Sequence, residues 1–123
     1  MPNFAYLAVH LARPRFDMIS IIIPTFNESK TDYLRPVLSQ LKLLDDAEIL
    51  VIDGGSTDGT LDLLSSFKVN VEILPESSRA ARLKMGITKS SGKLILLHHP
   101  RSLISAVAIS SLQNWAKDKR GFW

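Results

Sequence analysis

The chain has 123 residues, 46% of them apolar and 22% charged. That is enough for one domain with its own core, and it excludes disorder of the whole chain. There is no cysteine, so disulfides, thiolate metal sites and cysteine nucleophiles are excluded. The net charge of +3, with a pI near 9.4, suits phosphate-bearing ligands or an anionic membrane surface, and equally a plain solvated basic face.

The opening segment, 1–17, is interrupted by Pro2, His10, Arg13, Pro14 and Arg15. It lacks the order of a signal peptide and reads as a loosely attached extension, with the domain proper at 18–123. Ile19 to Ile23 is β-branched and apolar, as in a strand buried on both faces of a parallel sheet. Pro24 is expected to end it, because proline donates no ladder hydrogen bond. Leu34, Val37, Leu38, Leu41 and Leu44 recur at helical spacing. Thr31 or Asp32 is the candidate cap, and Pro36 fits only in the first turn.

Glu48 to Asp53 reads as the second strand, and Gly54 to Thr60 as a loop containing a helix start. Leu61, Leu64 and Phe67 give a short helix its stripe. Val69 to Leu74 reads as a third strand and Glu76 to Ser90 as a third helix. Lys93 to His98 is a fourth strand, and Ser102 to Lys117 a last helix. The order β-α-β-α-β-α-β-α predicts an α/β fold with a mostly parallel sheet. No apolar run approaches the roughly 18 residues of a membrane-spanning helix.

In open α/β sheets, ligands bind beyond the carboxyl ends of the strands. The polar residues there are Pro24, Thr25, Asn27 and Glu28 after the first strand; Asp53, Gly54, Gly55, Ser56 and Asp58 after the second; and His98, His99 and Arg101 after the fourth. Carboxylates at such an edge can accept from base and sugar donors, and glycines let backbone approach a ligand closely. The bland alternatives stay open: 53–60 as a turn with a helix cap, and 25–28 as a solvated loop. Adjacent His98 and His99 point to opposite faces of a strand, which argues against shared metal ligation. Arg79 and Arg82, one turn apart, are either a diphosphate clamp or a solvated helix face.

Two segments carry a resemblance. Ile21-Ile22-Ile23-Pro24-Thr25-Phe26-Asn27-Glu28 resembles the "Ile-Pro-x-x-Asn-Glu" opening strand of family 2 glycosyltransferases. Val51-Ile52-Asp53-Gly54-Gly55-Ser56-Thr57-Asp58-Gly59-Thr60 resembles their "Val-Asp-Asp/Gly-Gly-Ser-Thr-Asp-Gly-Thr" signature, in the same order and at a similar distance. The resemblance runs from Ile19 to about Ser102. It implies a Rossmann-like GT-A sandwich that transfers sugar from a nucleoside-diphosphate sugar to an acceptor, commonly with Mg²⁺ or Mn²⁺. It implies that Pro24, Thr25, Glu28 and Asp53 line the nucleoside pocket, with Gly54 beside them, and that Asp58 supports its loop or helix start.

Two departures stand out. The family's fourth strand ends in Asp-X-Asp, or His-Ala-Asp in one branch, and that aspartate helps hold the metal. Here the strand runs Leu97-His98-His99-Pro100-Arg101, with Pro100 at the aspartate position. Hard cations prefer oxygen ligands, so the metal is in question, and Arg101 becomes the candidate that stabilises the diphosphate directly. The second departure is length. The family's acceptor site and catalytic base follow the metal motif, so the chain reads as the donor-binding half, incomplete beyond Gly121-Phe122-Trp123, with self-association of exposed apolar surface a further expectation. A non-catalytic nucleotide-binding remnant and an unrelated phosphate-binding α/β domain are the alternatives. The basic residues are too scattered to indicate nucleic acid. A cysteine-free chain without a spanning segment fits the cytoplasm, with peripheral membrane contact left open.

Overall fold

The computed structural model describes residues 8–10, 16–45 and 47–117. Its sheet contains β1 (Ala8–His10), β2 (Phe16–Thr25), β3 (Ala47–Asp53), β4 (Asn70–Ile73) and β5 (Gly92–Leu97). The helices are α1 (Leu34–Leu41), α2 (Thr60–Ser66), α3 (Arg79–Lys89) and α4 (Ala106–Lys117), with a 3₁₀ turn at Ser29–Thr31. The strand order is β1-β5-β2-β3-β4. β5, β2, β3 and β4 run parallel, and β1 pairs antiparallel with β5. This is the α/β, mostly parallel sandwich that the alternating pattern predicts.

The centre of the sheet explains the apolar runs. Ile19, Ile21, Ile22 and Ile23 of β2 are each at most 1% exposed, because helices cover both faces. Alternation assigns the faces. Ile19, Ile21 and Ile23, with Ile49, Val51, Leu94 and Leu96, pack against Leu34, Val37, Leu38 and Leu41 of α1 and Leu64 of α2. Ile109 and Leu112 of α4 join that layer. Ile22, Leu50 and Ile95 face the other way, onto Leu83 and Ile87 of α3. Each such side chain contributes about 1.5–3 kcal/mol by leaving water. α3 lies so close to β2 that a Cβ on Gly86 would stand 2.2 Å from Ile22 Cγ2.

Several boundaries differ from the sequence reading. β2 does not stop at Pro24 but continues to Thr25, which pairs with Asp53. The reason is directional. Ile22 O accepts from His98 N–H on the β5 side, and Thr25 O accepts from Gly54 N–H on the β3 side. Residue 24 shares the orientation of residue 22, so its missing N–H would face β5, whose pairing with β2 ends at Leu97. No ladder bond is lost there. Neither Thr31 nor Asp32 caps α1. Thr31 closes the 3₁₀ turn through its hydroxyl on Glu28 O, Asp32 is left-handed with φ 56°, and Tyr33 is the cap residue, without a side-chain bond. Pro36 does fall in the first turn. α3 starts at Arg79 rather than near Glu76, because Glu76 has φ 53° and the Ser78 hydroxyl accepts from Ala81 N–H, an N-cap arrangement.

Within the segment 1–17, Ala8–His10 forms the antiparallel edge strand, and β2 already begins at Phe16. The remainder of that segment lies outside the described residues, as does the closing Gly121-Phe122-Trp123. None of the described helices is long and apolar enough to cross a membrane.

Candidate functional site at the carboxyl edge of the sheet

From β2 the chain steps to β3 and β4, then returns to the other side of β2 as β5. The strand order reverses between β2 and β5, which is where an open α/β sheet leaves a crevice at its carboxyl edge. The three clusters expected to converge, from Pro24 to Glu28, from Asp53 to Asp58 and from His98 to Arg101, follow neighbouring strands and are joined there by hydrogen bonds.

Asp53 organises the first two loops. It is fully buried, and its carboxylate accepts four hydrogen bonds. Oδ1 takes the hydroxyls of Thr25 (2.7 Å) and Ser56 (2.6 Å). Oδ2 takes the backbone N–H groups of Gly55 (2.9 Å) and Ser56 (2.7 Å). Thr25 supplies its hydroxyl because it is the register partner of Asp53 and alternation puts both on one face. A carboxylate has about four lone-pair sites, so Asp53 has none to spare. Gly55, at φ 93°, makes the turn that brings two consecutive N–H groups onto Oδ2.

The loops are then laced to each other. Asn27, at φ 49°, donates its N–H to the Ser56 hydroxyl and accepts from Thr57 N–H through Oδ1. Glu28 N–H donates to Thr60 Oγ1, and Ser29 N–H to Asp58 Oδ2. Asp58 Oδ1 also accepts from the N–H and hydroxyl of Thr60, at the first turn of α2. These bonds, that of the Thr60 hydroxyl foremost, hold its carboxyl below the usual aspartate range. Asp58 therefore supports the loop and the helix start, where a carboxylate is favoured.

The third loop adds the charges. Glu28 is 6% exposed; its Oε2 accepts from Phe26 N–H (3.2 Å), and its Oε1 from Arg101 Nε (3.1 Å). Arg101 is half exposed, and its two terminal nitrogens make no hydrogen bond among the described residues. His98 and His99 do point to opposite faces. His98 is buried, with Nε2 2.7 Å from Ser102 O. That carbonyl can only accept, so Nε2 carries the proton. Burial lowers the ring's pKa, which favours the neutral form, and Nδ1 has no hydrogen-bond partner among the described residues. His99 lies on the α3 side and accepts from Arg101 N–H through Nδ1. Its pKa is lowered first by desolvation, then by the positive charge of Arg79; Glu28 opposes this, and Arg101 adds to it. The His99 ring thus senses both arginines at once.

Arg79 and Arg82 part company. Arg79 is exposed and makes no hydrogen bond or ion pair among the described residues. Arg82 folds inward, donating through Nη1 to Ser77 O (2.5 Å) and lying over Gly54, where a Cβ would stand 2.7 Å from that Nη1. Gly54 is buried, so its lack of a side chain makes room for this guanidinium. Phe26, 47% exposed, flanks the same glycine. Of the expected site residues, Pro24, Thr25, Glu28, Asp53, Gly54, Arg79 and Arg101 all lie at this edge. Arg82 acts as a local support that helical spacing alone does not reveal.

The Mg²⁺ or Mn²⁺ implied by the resemblance can be tested against the ligands present. Among the described residues, no group of three His, Asp or Glu side chains could hold a metal ion. The carboxylates at the edge are already committed: Asp53 to four donors, Glu28 to Arg101 and Phe26, Asp58 to Thr60 and Ser29. The described residues at this edge do not fit a divalent cation.

Residues 20–115 match the glycosyl transferase family 2. Glycosyltransferase AglE of Haloferax volcanii is 40% identical over 86 residues, 63% of this chain and 28% of that protein. Among solved structures, S. aureus TarS 1–349 in complex with UDP superposes with a TM-score of 0.66 at 21% identity, covering 81% of this chain and 32% of that one. Mannosyltransferase PcManGT from Pyrobaculum calidifontis, in complex with GDP-Man and Mn²⁺, superposes with a TM-score of 0.65 at 21% identity, covering 87% and 33%. The chain spans only about a quarter of the curated relatives, 24–28% of their lengths. With the family match extending over most of its length and the GT-A sandwich in place, this chain belongs to glycosyl transferase family 2.

Proposed function

We propose that this chain binds the nucleoside diphosphate of a sugar donor at the carboxyl edge of its sheet, as the donor-side part of a cytoplasmic glycosyltransferase. In the reaction, the bond between the sugar's anomeric carbon and the β-phosphate oxygen breaks. The acceptor hydroxyl oxygen takes its place on that carbon, and its proton leaves. The nucleoside diphosphate departs with one more negative charge on its terminal phosphate. A site for the donor therefore needs a firm seat for the nucleoside and positive charge beside the diphosphate.

One observation carries the reading. Asp53 fixes two loops into a rigid rim, Arg101 is held beside it by Glu28 with its terminal nitrogens unbonded among the described residues, and exposed Arg79 begins α3 on the side where β4 ends. The related proteins whose structures contain UDP, or GDP-Man and Mn²⁺, share this fold, which supports a nucleotide-sugar ligand. The seat would involve Pro24, Thr25, Glu28, Asp53 and Gly54. For Asp53 and Thr25 that contribution is shape, since both are fully buried and bonded to each other.

The test is a calorimetric titration of the folded chain with UDP and GDP, with inorganic pyrophosphate as control. Saturable binding of one nucleotide, tighter than pyrophosphate, is expected. A folded chain that binds neither nucleotide sinks the proposal.

A further inference from the structure

We infer that the diphosphate is held by the guanidinium groups of Arg79 and Arg101, with no divalent cation bridging it to this chain. The inference rests on the donor-site reading above and concerns what neutralises the diphosphate in that site.

Three observations converge. First, the oxygen ligands a hard cation needs are used up. Asp53 accepts four internal hydrogen bonds, Asp58 binds Thr60 and Ser29, and Glu28 is tied to Arg101. Freeing any of them would unmake the rim itself. Second, Pro100, in the loop that follows β5, is buried and has no side-chain ligand atom, and the next residue is a cation. Third, the positive charges are placed and free. Glu28 Oε1 holds Arg101 by Nε alone, leaving its terminal nitrogens for a ligand. Arg79 begins α3 and is exposed, without a partner among the described residues.

The chemistry fits the ligand. A guanidinium offers planar paired N–H donors that match two phosphate oxygens and stays charged at any working pH. Arg101 brings its donors already paired with Glu28, so Arg79 supplies the uncompensated positive charge. Glu28 is a positioning residue: it orients Arg101 and leaves the anion-facing edge of the guanidinium open.

The experiment is calorimetric titration of the chain with UDP and GDP, once in EDTA and once in Mn²⁺. Affinity should agree between the two buffers within about twofold, whereas Arg101→Ala and Arg79→Ala should each weaken binding in EDTA about tenfold or more, as expected for a charge-assisted contact to phosphate. Arg79 is solvent-exposed, so its variant leaves the fold intact even if Arg101→Ala, which strips Glu28 of its partner, does not. Arg101→Lys should recover part of the loss, since it keeps the charge but not the paired donors. Binding that requires Mn²⁺ and vanishes in EDTA overturns the inference and leaves the donor site standing. Full affinity in Arg79→Ala and Arg101→Ala overturns it likewise. Binding of neither nucleotide in either buffer overturns the donor-site reading and the clamp together.

Discussion

Replacing Asp53 with alanine should unfold the rim before it says anything about ligand contact. The carboxylate satisfies the Thr25 hydroxyl, the Ser56 hydroxyl and the N–H groups of Gly55 and Ser56. Ser56 is half buried, so its hydroxyl can turn to water. The Thr25 hydroxyl cannot, because Thr25 is fully buried. That hydroxyl and the two N–H groups are left without an acceptor. At about 1 kcal/mol each, the low end of the range for buried unsatisfied groups, the loss is about 3 kcal/mol. The assay is urea unfolding, joined to amide hydrogen exchange. The denaturation midpoint should fall, and protection at Gly55 and Ser56 should drop well beyond the global loss. Less than about 1 kcal/mol of destabilisation, with Gly55 and Ser56 still protected, would refute the reasoning. Nucleotide binding lost in Asp53→Ala is therefore expected on structural grounds alone, which is why Arg79 and Arg101 carry the binding tests.

Gly86→Ala should destabilise the fold by about 1–3 kcal/mol in the same unfolding assay, although alanine favours a helix interior by about 1 kcal/mol. The new Cβ would sit 2.2 Å from Ile22 Cγ2, and Ile22 has no room to yield at 0% exposure; a variant more stable than the parent would contradict the packing. The buried, neutral His98 predicts a pH dependence. Its folded pKa lies below the ordinary 6.5, so below that pH the unfolded chain takes up a proton the folded chain refuses. Stability should be full above about pH 7 and fall as the pH drops through 6.5, and His98→Gln should flatten that slope. His99 acts in the same direction, so an unchanged slope in His98→Gln would shift the effect to His99.

The placement of the site was legible because it depends on strand ends and parity. Thr25, Asp53 and His98 were located by where apolar runs stop, and the structure puts all three at one edge. The opposed directions of His98 and His99 follow from the same period of two. What stayed hidden depends on neighbours distant in sequence. Whether Pro24 ends β2 is decided by where β5 stops pairing, some seventy residues later. Ala8–His10 has too little pattern for a strand and gains its identity from the open edge of β5. Glu76 looks like a helix start until its left-handed backbone hands the cap to Ser78. The contact of Arg82 with Gly54 joins α3 to the β3 loop, and helical spacing alone pairs Arg82 with Arg79 instead. The residue types at the rim suggested ligand-facing carboxylates. Counting their hydrogen bonds shows them turned inward, holding the loops, with the free donors on the arginines.

The most direct test of the account is a ¹⁵N-labelled amide spectrum of the chain, followed during titration with UDP and with GDP. Saturable shifts are expected, confined to the carboxyl edge: Phe26 to Ser29, Gly54 to Gly59, Arg79 and its neighbours, and His99 to Arg101. Shifts clustered at the opposite end of the sheet, around Leu44, Glu48 and Lys68, or none with either nucleotide, would contradict it.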